Sequence, residues 1–274
     1  MFYHSGYVSR QDFHNVANDT LFRKLENEND VFRNKYLAHL NEYGKRWTTD
    51  SFHQWSRVWE YPYIFSMIEN KINKSGAIKI LDAGCGLSFF PFFVKKEFSK
   101  CEVHGTDMDS RLVKTYENIN NEIESKVIFN LGDLRNLDYP EKSFDIIYCI
   151  SVLEHTENYK EIVDHFYRLL VPGGHLILTF DISLDGDRTI SVNDGQKLLD
   201  YLGSRFTPAY EATDIKSVIN RRGEVLTTTY VATIDKNLLP WRSPWKNALK
   251  NALSLKKPKF IFDLACYCQV FEKN

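Results

Sequence analysis

The sequence predicts a doubly wound α/β fold, and three observations carry that reading. A strand–glycine–helix corner is written at residues 78–91: Ile78, Ile80 and Leu81 form an apolar run, Gly84 and Gly86 follow, and a helical pattern resumes at Phe89. An apolar run without alternation suits a parallel strand covered on both faces, and the glycines let the backbone turn sharply and approach a ligand. From Ala77 onward short apolar runs alternate with amphipathic stretches, which builds a mostly parallel sheet with helices on both faces. The chain has 274 residues, 43% of them hydrophobic, enough for one large domain with an embellishment.

The elements follow in order. Strand one is 78–81 and the first helix of the sheet 89–98. Strand two is 102–106, closed by Asp107, and a helix spans 111–123. Strand three is 127–131, followed by Gly132 and Asp133. Strand four is 144–150. The helix at 159–170 carries its apolar face on Ile162, Val163, Phe166, Leu169 and Leu170. Pro172, Gly173 and Gly174 make a tight turn into strand five at 175–180. Beyond Asp181 the pattern changes: a loop at 183–194, a short helix at 195–202, a short strand at 205–211, a threonine-rich strand at 224–234 and a terminal strand at 263–273. Upstream, residues 1–75 read as helices at 12–27 and 30–43. A third, capped by Asp50 or Ser51, should break at Tyr61 before Pro62. The expected division is a helical lid at 1–75 and a sheet domain at 76–274, with a substrate-side insertion at about 212–260.

Composition narrows the partners. A net charge of −1 leaves no whole-chain field to select nucleic acid, so none is expected as partner. Five cysteines, at positions 85, 101, 149, 266 and 268, lack a paired framework or ligand spacing for a metal, and suit free thiols of a reducing compartment. No secretory leader pattern or bilayer-length apolar stretch is written in the sequence, so a cytoplasmic protein is expected. Between Asp235 and Asp263 there is no acidic residue, yet Lys236, Arg242, Lys246, Lys250, Lys256, Lys257 and Lys259 are there, with Trp245, Leu249 and Leu253 at helical spacing. A core-packed helix with a solvated basic face, a peripheral membrane contact through 241–259, and a wall for an anionic substrate all fit this pattern.

The chemistry gathers at strand ends. Asp82, Asp107 and Asp133 stand there, with Asp145 opening strand four as a structural carboxylate. A carboxylate about 20 residues beyond a glycine turn suits two ribose hydroxyls, which places Asp107 on a ribose. A dinucleotide site would want G-x-G-x-x-G, but residues 84–89 read GCGLSF, and Phe89 in the third glycine position would obstruct a pyrophosphate.

At these residues the chain resembles the class I S-adenosylmethionine-dependent methyltransferases. The matching blocks are LDAGCGLS (81–88), GTDMD (105–109), GDL (132–134), FDIIYCISVLEH (144–155) and LLVPGGHLILTF (169–180). The resemblance implies a seven-stranded sheet of order 3-2-1-4-5-7-6 with the last strand antiparallel, and S-adenosyl-L-methionine as cofactor. It implies that Gly84, Cys85 and Gly86 lie along the methionine part, and that Asp82 faces the sulfonium side or holds the α-amino group through water. Asp107 would take the ribose, Met108 would pack on the adenine, Asp133 would accept from its amino group with Leu134 alongside, and Ile150 and Ser151 would pass beside the cofactor. The segment 57–63, RVWEYPY, is either an aromatic stripe packing a helix on the sheet or a lid bringing Trp59, Glu60 and Tyr61 to the cofactor.

Methyl transfer requires alignment and exclusion of water, and a base only if the acceptor holds a proton. Glu154, His155 and Asp181 are the candidates, each against a loop-anchoring alternative. The expected activity is methylation of a small molecule, through oxygen on a sugar or nucleotide-linked sugar. An RNA- or protein-directed methyltransferase and a non-catalytic cofactor-binding module are the alternatives.

Overall fold

The computed structural model describes residues 2–44, 49–186, 188–239 and 261–274. The elements are β1 (Gly6–Tyr7), α1 (Arg10–Val16), α2 (Thr20–Tyr43), α3 (Arg57–Ser75), β2 (Lys79–Ala83), α4 (Phe90–Glu97), β3 (Glu102–Asp107), α5 (Arg111–Glu122), β4 (Ile128–Leu131), β5 (Phe144–Ile150), α6 (Tyr159–Leu169), β6 (Leu170–Ser183), β7 (Ile190–Ser191), α7 (Val192–Gly203), β8 (Thr207–Pro208), α8 (Ser217–Asn220), α9 (Thr228–Ile234) and β9 (Leu264–Glu272). The strands lie in the order β4-β3-β2-β5-β6-β9-β1. All neighbours from β4 to β6 are parallel, and β9 is antiparallel to β6 from His175↔Glu272 to Ser183↔Leu264.

This is the expected doubly wound sheet, with one difference at its edge. The sixth-strand place beside β9 is filled by two short strands end to end. β8 pairs with Phe271 and Glu272, and β1 pairs with Tyr267 and Cys268. Residues near the N-terminus therefore complete the sheet instead of forming a purely helical segment. Side chains alternate between two layers as period-2 strands require. Ile80, Ile146 and Ile177 pack with residues of α2, α3, α4 and α5, while Leu81, Ile147, Leu176 and Leu178 pack with α6 and α7.

Local chemistry explains where the elements depart from expectation. The first helix stops at Val16 because Asp19 starts a new one: its carboxylate accepts from the backbone N–H of Leu21 and Phe22, which satisfies two orphaned helix donors. α3 begins at Arg57, not near 50. Asp50 instead caps a turn, accepting from the backbone N–H of His53 at 3.1 Å and from Asn29 at 3.1 Å. Pro62 lies inside α3 and no break forms at Tyr61. The cost is one hydrogen bond near the helix start, set against the burial of ten α3 side chains from Val58 to Ile68. The threonine-rich stretch at 224–234 is not a strand: Thr227 makes a single bridge to Ala265 and then caps α9, accepting from Tyr230 N–H. Threonine suits both roles, and the cap decides. Asp145 is structural, accepting from Lys79 N–H at 2.8 Å. All five cysteines are buried and free. The basic stretch 241–259 lies outside the described residues.

The N-terminal edge strand depends on Gly6. Its φ is +111°, and a Cβ there would meet Thr213 Oγ1 at 2.0 Å, the atom that accepts from Tyr7 N–H. Gly6→Ala is expected to destabilise the protein by about 1–3 kcal/mol in denaturant unfolding while leaving cofactor affinity within twofold of wild type. Unchanged stability would mean that β1 contributes nothing to the sheet.

Candidate active site

The carboxyl ends of the parallel strands open into two adjoining cavities of about 370 and 630 Å³, which share Gly84, Asp107, Met108, Val152 and His155. The crevice lies where the sheet order reverses between β2 and β5, the expected ligand site of an open α/β sheet.

The glycine turn is held rigidly. Gly84 and Cys85 N–H both donate to Thr106 O, at 2.9 and 3.0 Å. Gly84 and Gly86 have φ of +79° and +52°. A Cβ on Gly84 would strike Val152 Cγ2 at 2.7 Å, whereas one on Gly86 would meet nothing within 4 Å, so the backbone is bare toward the crevice there. Asp107 Oδ2 accepts from Gly86 N–H and Oδ1 from Asp109 N–H, each at 3.0 Å. One carboxylate thus sets the turn and keeps lone pairs for ribose hydroxyls. Cys85 turns its thiol against Gly105, where burial holds it protonated.

Around this turn the expected cofactor residues divide by role. Met108, 76% exposed, and Leu134 line the smaller cavity and supply apolar surface for an aromatic base. Asp133 also lines it, but its carboxylate is gripped by Arg135 through Nε at 2.9 and 3.0 Å and through backbone N–H at 2.9 Å. That hydrogen bonding holds Asp133 at about 2, so any adenine contact must share lone pairs with Arg135. Asp82 lines the larger cavity, 3% exposed. Burial pushes its carboxyl up to about 8, with Asp107 adding to the rise.

A second cluster sits at the ends of β5 and β6. Ile150 and Ser151 line the larger cavity, and Ser151 has φ of +49°, a left-handed conformation uncommon for a side-chain-bearing residue. Its Oγ donates to Glu60 Oε1 at 2.8 Å and accepts from Arg57 Nη1 at 2.9 Å. Thr179 Oγ1 donates to the same Glu60 oxygen, and Arg57 pairs with the other. Glu60 is fully buried. Burial opposes its charge, but Arg57 and the two hydroxyls prevail and keep it ionised. Glu154 Oε1 accepts from Asp181 N–H at 3.0 Å. Glu154 Oε2 and Asp181 Oδ1 are buried without a hydrogen-bond partner among the described residues. Burial pushes Glu154 up to about 8 and Asp181 well above the usual carboxyl range, the latter aided by Glu154 and Glu60. His155, in a 3₁₀ turn at Leu153–His155, lines both cavities. Burial and the charges of Arg57 and Arg188 push its pKa down, so its imidazole is neutral at pH 7.

The stretch 57–63 contributes differently from a lid. Trp59 is 1% exposed and packs against Phe2, Tyr3 and His4 with ring centroids 5.0–5.5 Å apart, away from the crevice. Glu60 is beneath the wall and acts through Ser151. Tyr61 lines the larger cavity and stacks on Phe90 at 4.7 Å. Arg57, Gln54 and Ser88 also line it. Arg57 was legible as the i−3 partner of Glu60. Gln54 carries no comparable signal.

A family model described as a methyltransferase domain matches residues 81–178, which span the glycine turn, Asp107, Asp133 and the Ser151–His155 turn. Residues 81–178 therefore carry a methyltransferase domain. Sterol 24-C-methyltransferase of Kluyveromyces lactis is 25% identical over 237 residues, 81% of this chain and 62% of that protein. Phosphoethanolamine N-methyltransferase of Plasmodium falciparum is 32% identical over 106 residues, 37% of this chain and 38% of that protein. The chain spans less than two thirds of the length of these relatives. Among solved structures the cyclase SpnF matches with a TM-score of 0.56 at 15% identity, covering 89% of this chain and 94% of that one, a likeness of fold.

The methyltransferase domain takes S-adenosylmethionine as cofactor, and its residues fit that molecule. The backbone bared at Gly86 suits its methionine part and the carboxylate of Asp107 its ribose. Asp82, a buried carboxyl with no basic hydrogen-bond partner among the described residues, suits the cationic end. A cation favours the ionised form of Asp82, so affinity for S-adenosylmethionine should rise with pH, by at most tenfold per unit, and level off above about 8. Calorimetry across pH 6–9 should show this slope in wild type and a smaller one in Asp82→Asn, the difference between the two isolating this residue from the ligand's own amine. Identical pH profiles would remove Asp82 from the cation's surroundings.

Proposed function

We propose that this chain transfers the methyl group of S-adenosylmethionine to a small-molecule acceptor held in the larger cavity. The observation that carries the proposal is the continuity of that cavity. It runs from the glycine turn and Asp107, past Ser151, to His155, Arg57 and Asp181, and Ser51, Gln54 and Trp55 close it from outside. A compartment of about 630 Å³ is on the scale of small-molecule sites. A protein or long RNA would need an open face. When bound, the cofactor supplies a methyl carbon already activated by the sulfonium. The chain's own work is to orient the acceptor, to exclude water with the aromatic and aliphatic wall, and to receive a proton from a protonated nucleophile. His155, neutral and on the border of both cavities, is placed to receive it. Glu154, buried beneath Asp181, serves as a support.

The oxygen of a sugar or nucleotide-linked sugar, the acceptor expected from the sequence, rests on the sequence alone. The anionic-wall and membrane-contact readings of 241–259 likewise rest on the sequence. Among the described residues no helix is long and apolar enough to cross a membrane, and a cytoplasmic location is part of this proposal.

Methyl-labelled S-adenosylmethionine offered with a panel of small nucleophiles, a tRNA pool and a peptide pool tests the acceptor class: label should appear in small products. Label in RNA or peptide alone would overturn the proposal. His155→Ala should lower the rate by about 10²–10⁴-fold and abolish the acid limb that the wild type shows below about pH 6.5. A loss under tenfold with the limb intact would return His155 to a structural role.

A further inference from the structure

The far wall of the larger cavity carries more carboxyl groups than cations. Four ionisable side chains meet there from three directions: Arg57 and Glu60 from α3, Glu154 from the turn after β5, and Asp181 from the end of β6. His155 borders the same space and is neutral, with Arg188 near enough to lower its pKa. Arg57 and Glu60 satisfy one another, and Ser151 and Thr179 complete the pair. That leaves Glu154 and Asp181 without an ion pair among the described residues, and Arg57 reaches them only as a more distant charge. Asp181 borders the cavity, and one oxygen of each carboxyl is buried with no donor among the described residues. A buried acceptor left unmade costs about 1–3 kcal/mol, which a bound molecule carrying N–H donors would recover.

The acceptor classes can be sorted against this wall. An anion would find Arg57 already committed and would face two carboxyls. A hydroxyl brings one donor and no charge. A primary or secondary amine, arriving as its ammonium, brings several donors and a positive charge. We propose that the acceptor of this site is an amine, bound with its nitrogen at Asp181 and methylated on that nitrogen. The inference rests on the methyl-transfer reading above and names its substrate class.

The same wall accounts for the proton. An ammonium has no lone pair, so one proton must leave before attack. It passes to the neutral imidazole of His155, which borders the same space, while the carboxylate of Asp181 keeps its hold on the nitrogen. The nitrogen lone pair then forms the new N–C bond as the methyl carbon's bond to sulfur breaks, and that electron pair stays on sulfur. The positive charge lost by the sulfonium appears on the alkylated nitrogen, so charge is conserved within the cavity.

The test uses the full chain with S-adenosylhomocysteine bound and matched probes on one carbon skeleton: 2-phenylethylamine, 2-phenylethanol and phenylacetate, with ethanolamine and ethylene glycol as a smaller pair. Thermal stabilisation and calorimetric affinity should favour each amine over its alcohol and carboxylate by tenfold or more. Asp181→Asn should erase that preference without changing affinity for S-adenosylhomocysteine, and Glu154→Gln should reduce it. With labelled cofactor the amines should give labelled product and the alcohols none. Equal affinity across the set, a preference for alcohol or carboxylate, or an amine preference that survives in Asp181→Asn would overturn the inference. Labelled alcohol product would overturn it while leaving methyl transfer standing. Amine binding in the predicted order with cofactor unconsumed would retain the amine site and overturn the methyl-transfer reading.

Discussion

The structure depends on one buried carboxylate. Glu60 reaches from α3 to the ends of β5 and β6, where it accepts from Ser151 and Thr179 and pairs with Arg57. Removing one partner from a buried pair typically costs about 3–5 kcal/mol, because the remaining charge is stranded. That penalty makes the contact a positional constraint. It locks an N-terminal helix across the carboxyl edge of the sheet and holds Ser151 in its left-handed conformation. It also commits Arg57, which decides what charge the cavity can accept.

Two ends of the crevice follow different electrostatic rules. At the cofactor end, carboxylates serve backbone first: Asp107 organises the glycine turn through Gly86 and Asp109, and ligand contacts use what remains. At the proposed acceptor end, Glu154 and Asp181 are buried and each is left with one oxygen short of a donor among the described residues. Low polarity strengthens every remaining interaction, so a small ligand with the right charge gains much there and one with the wrong charge is rejected. Asp82, between the two ends, is buried and poised to respond to positive charge.

The fold of residues 77–181 was legible in the sequence because its signals are local. Apolar runs, glycine turns and strand-end aspartates each declare themselves within a few residues, and the order of the strands followed from the resemblance they carry together. What failed to show involves partners far apart in the chain. The pairing of Gly6 and Tyr7 with Cys268 and Tyr267 cannot be read from either segment. The helix at Thr228–Ile234 hid behind β-branched threonines because a cap outweighs propensity there. Trp59 and Tyr61 are neighbours in sequence, yet one is packed under Phe2, Tyr3 and His4 and the other faces the cavity. The sequence pattern identifies the stripe but not which side faces the ligand. Glu60 was singled out for the wrong contact: it shapes the site through Ser151 without lining it.

We infer that one crevice holds cofactor and acceptor in line, between the glycine turn and the Asp181 wall. A crystal structure with S-adenosylhomocysteine bound tests this most directly. The account predicts the ribose hydroxyls on Asp107, the amino-acid end along Gly84–Gly86 near Asp82, and the sulfur open toward the space bordered by Ser151, His155 and Asp181. A ligand bound elsewhere, or one whose sulfur faces away from that space, would contradict it.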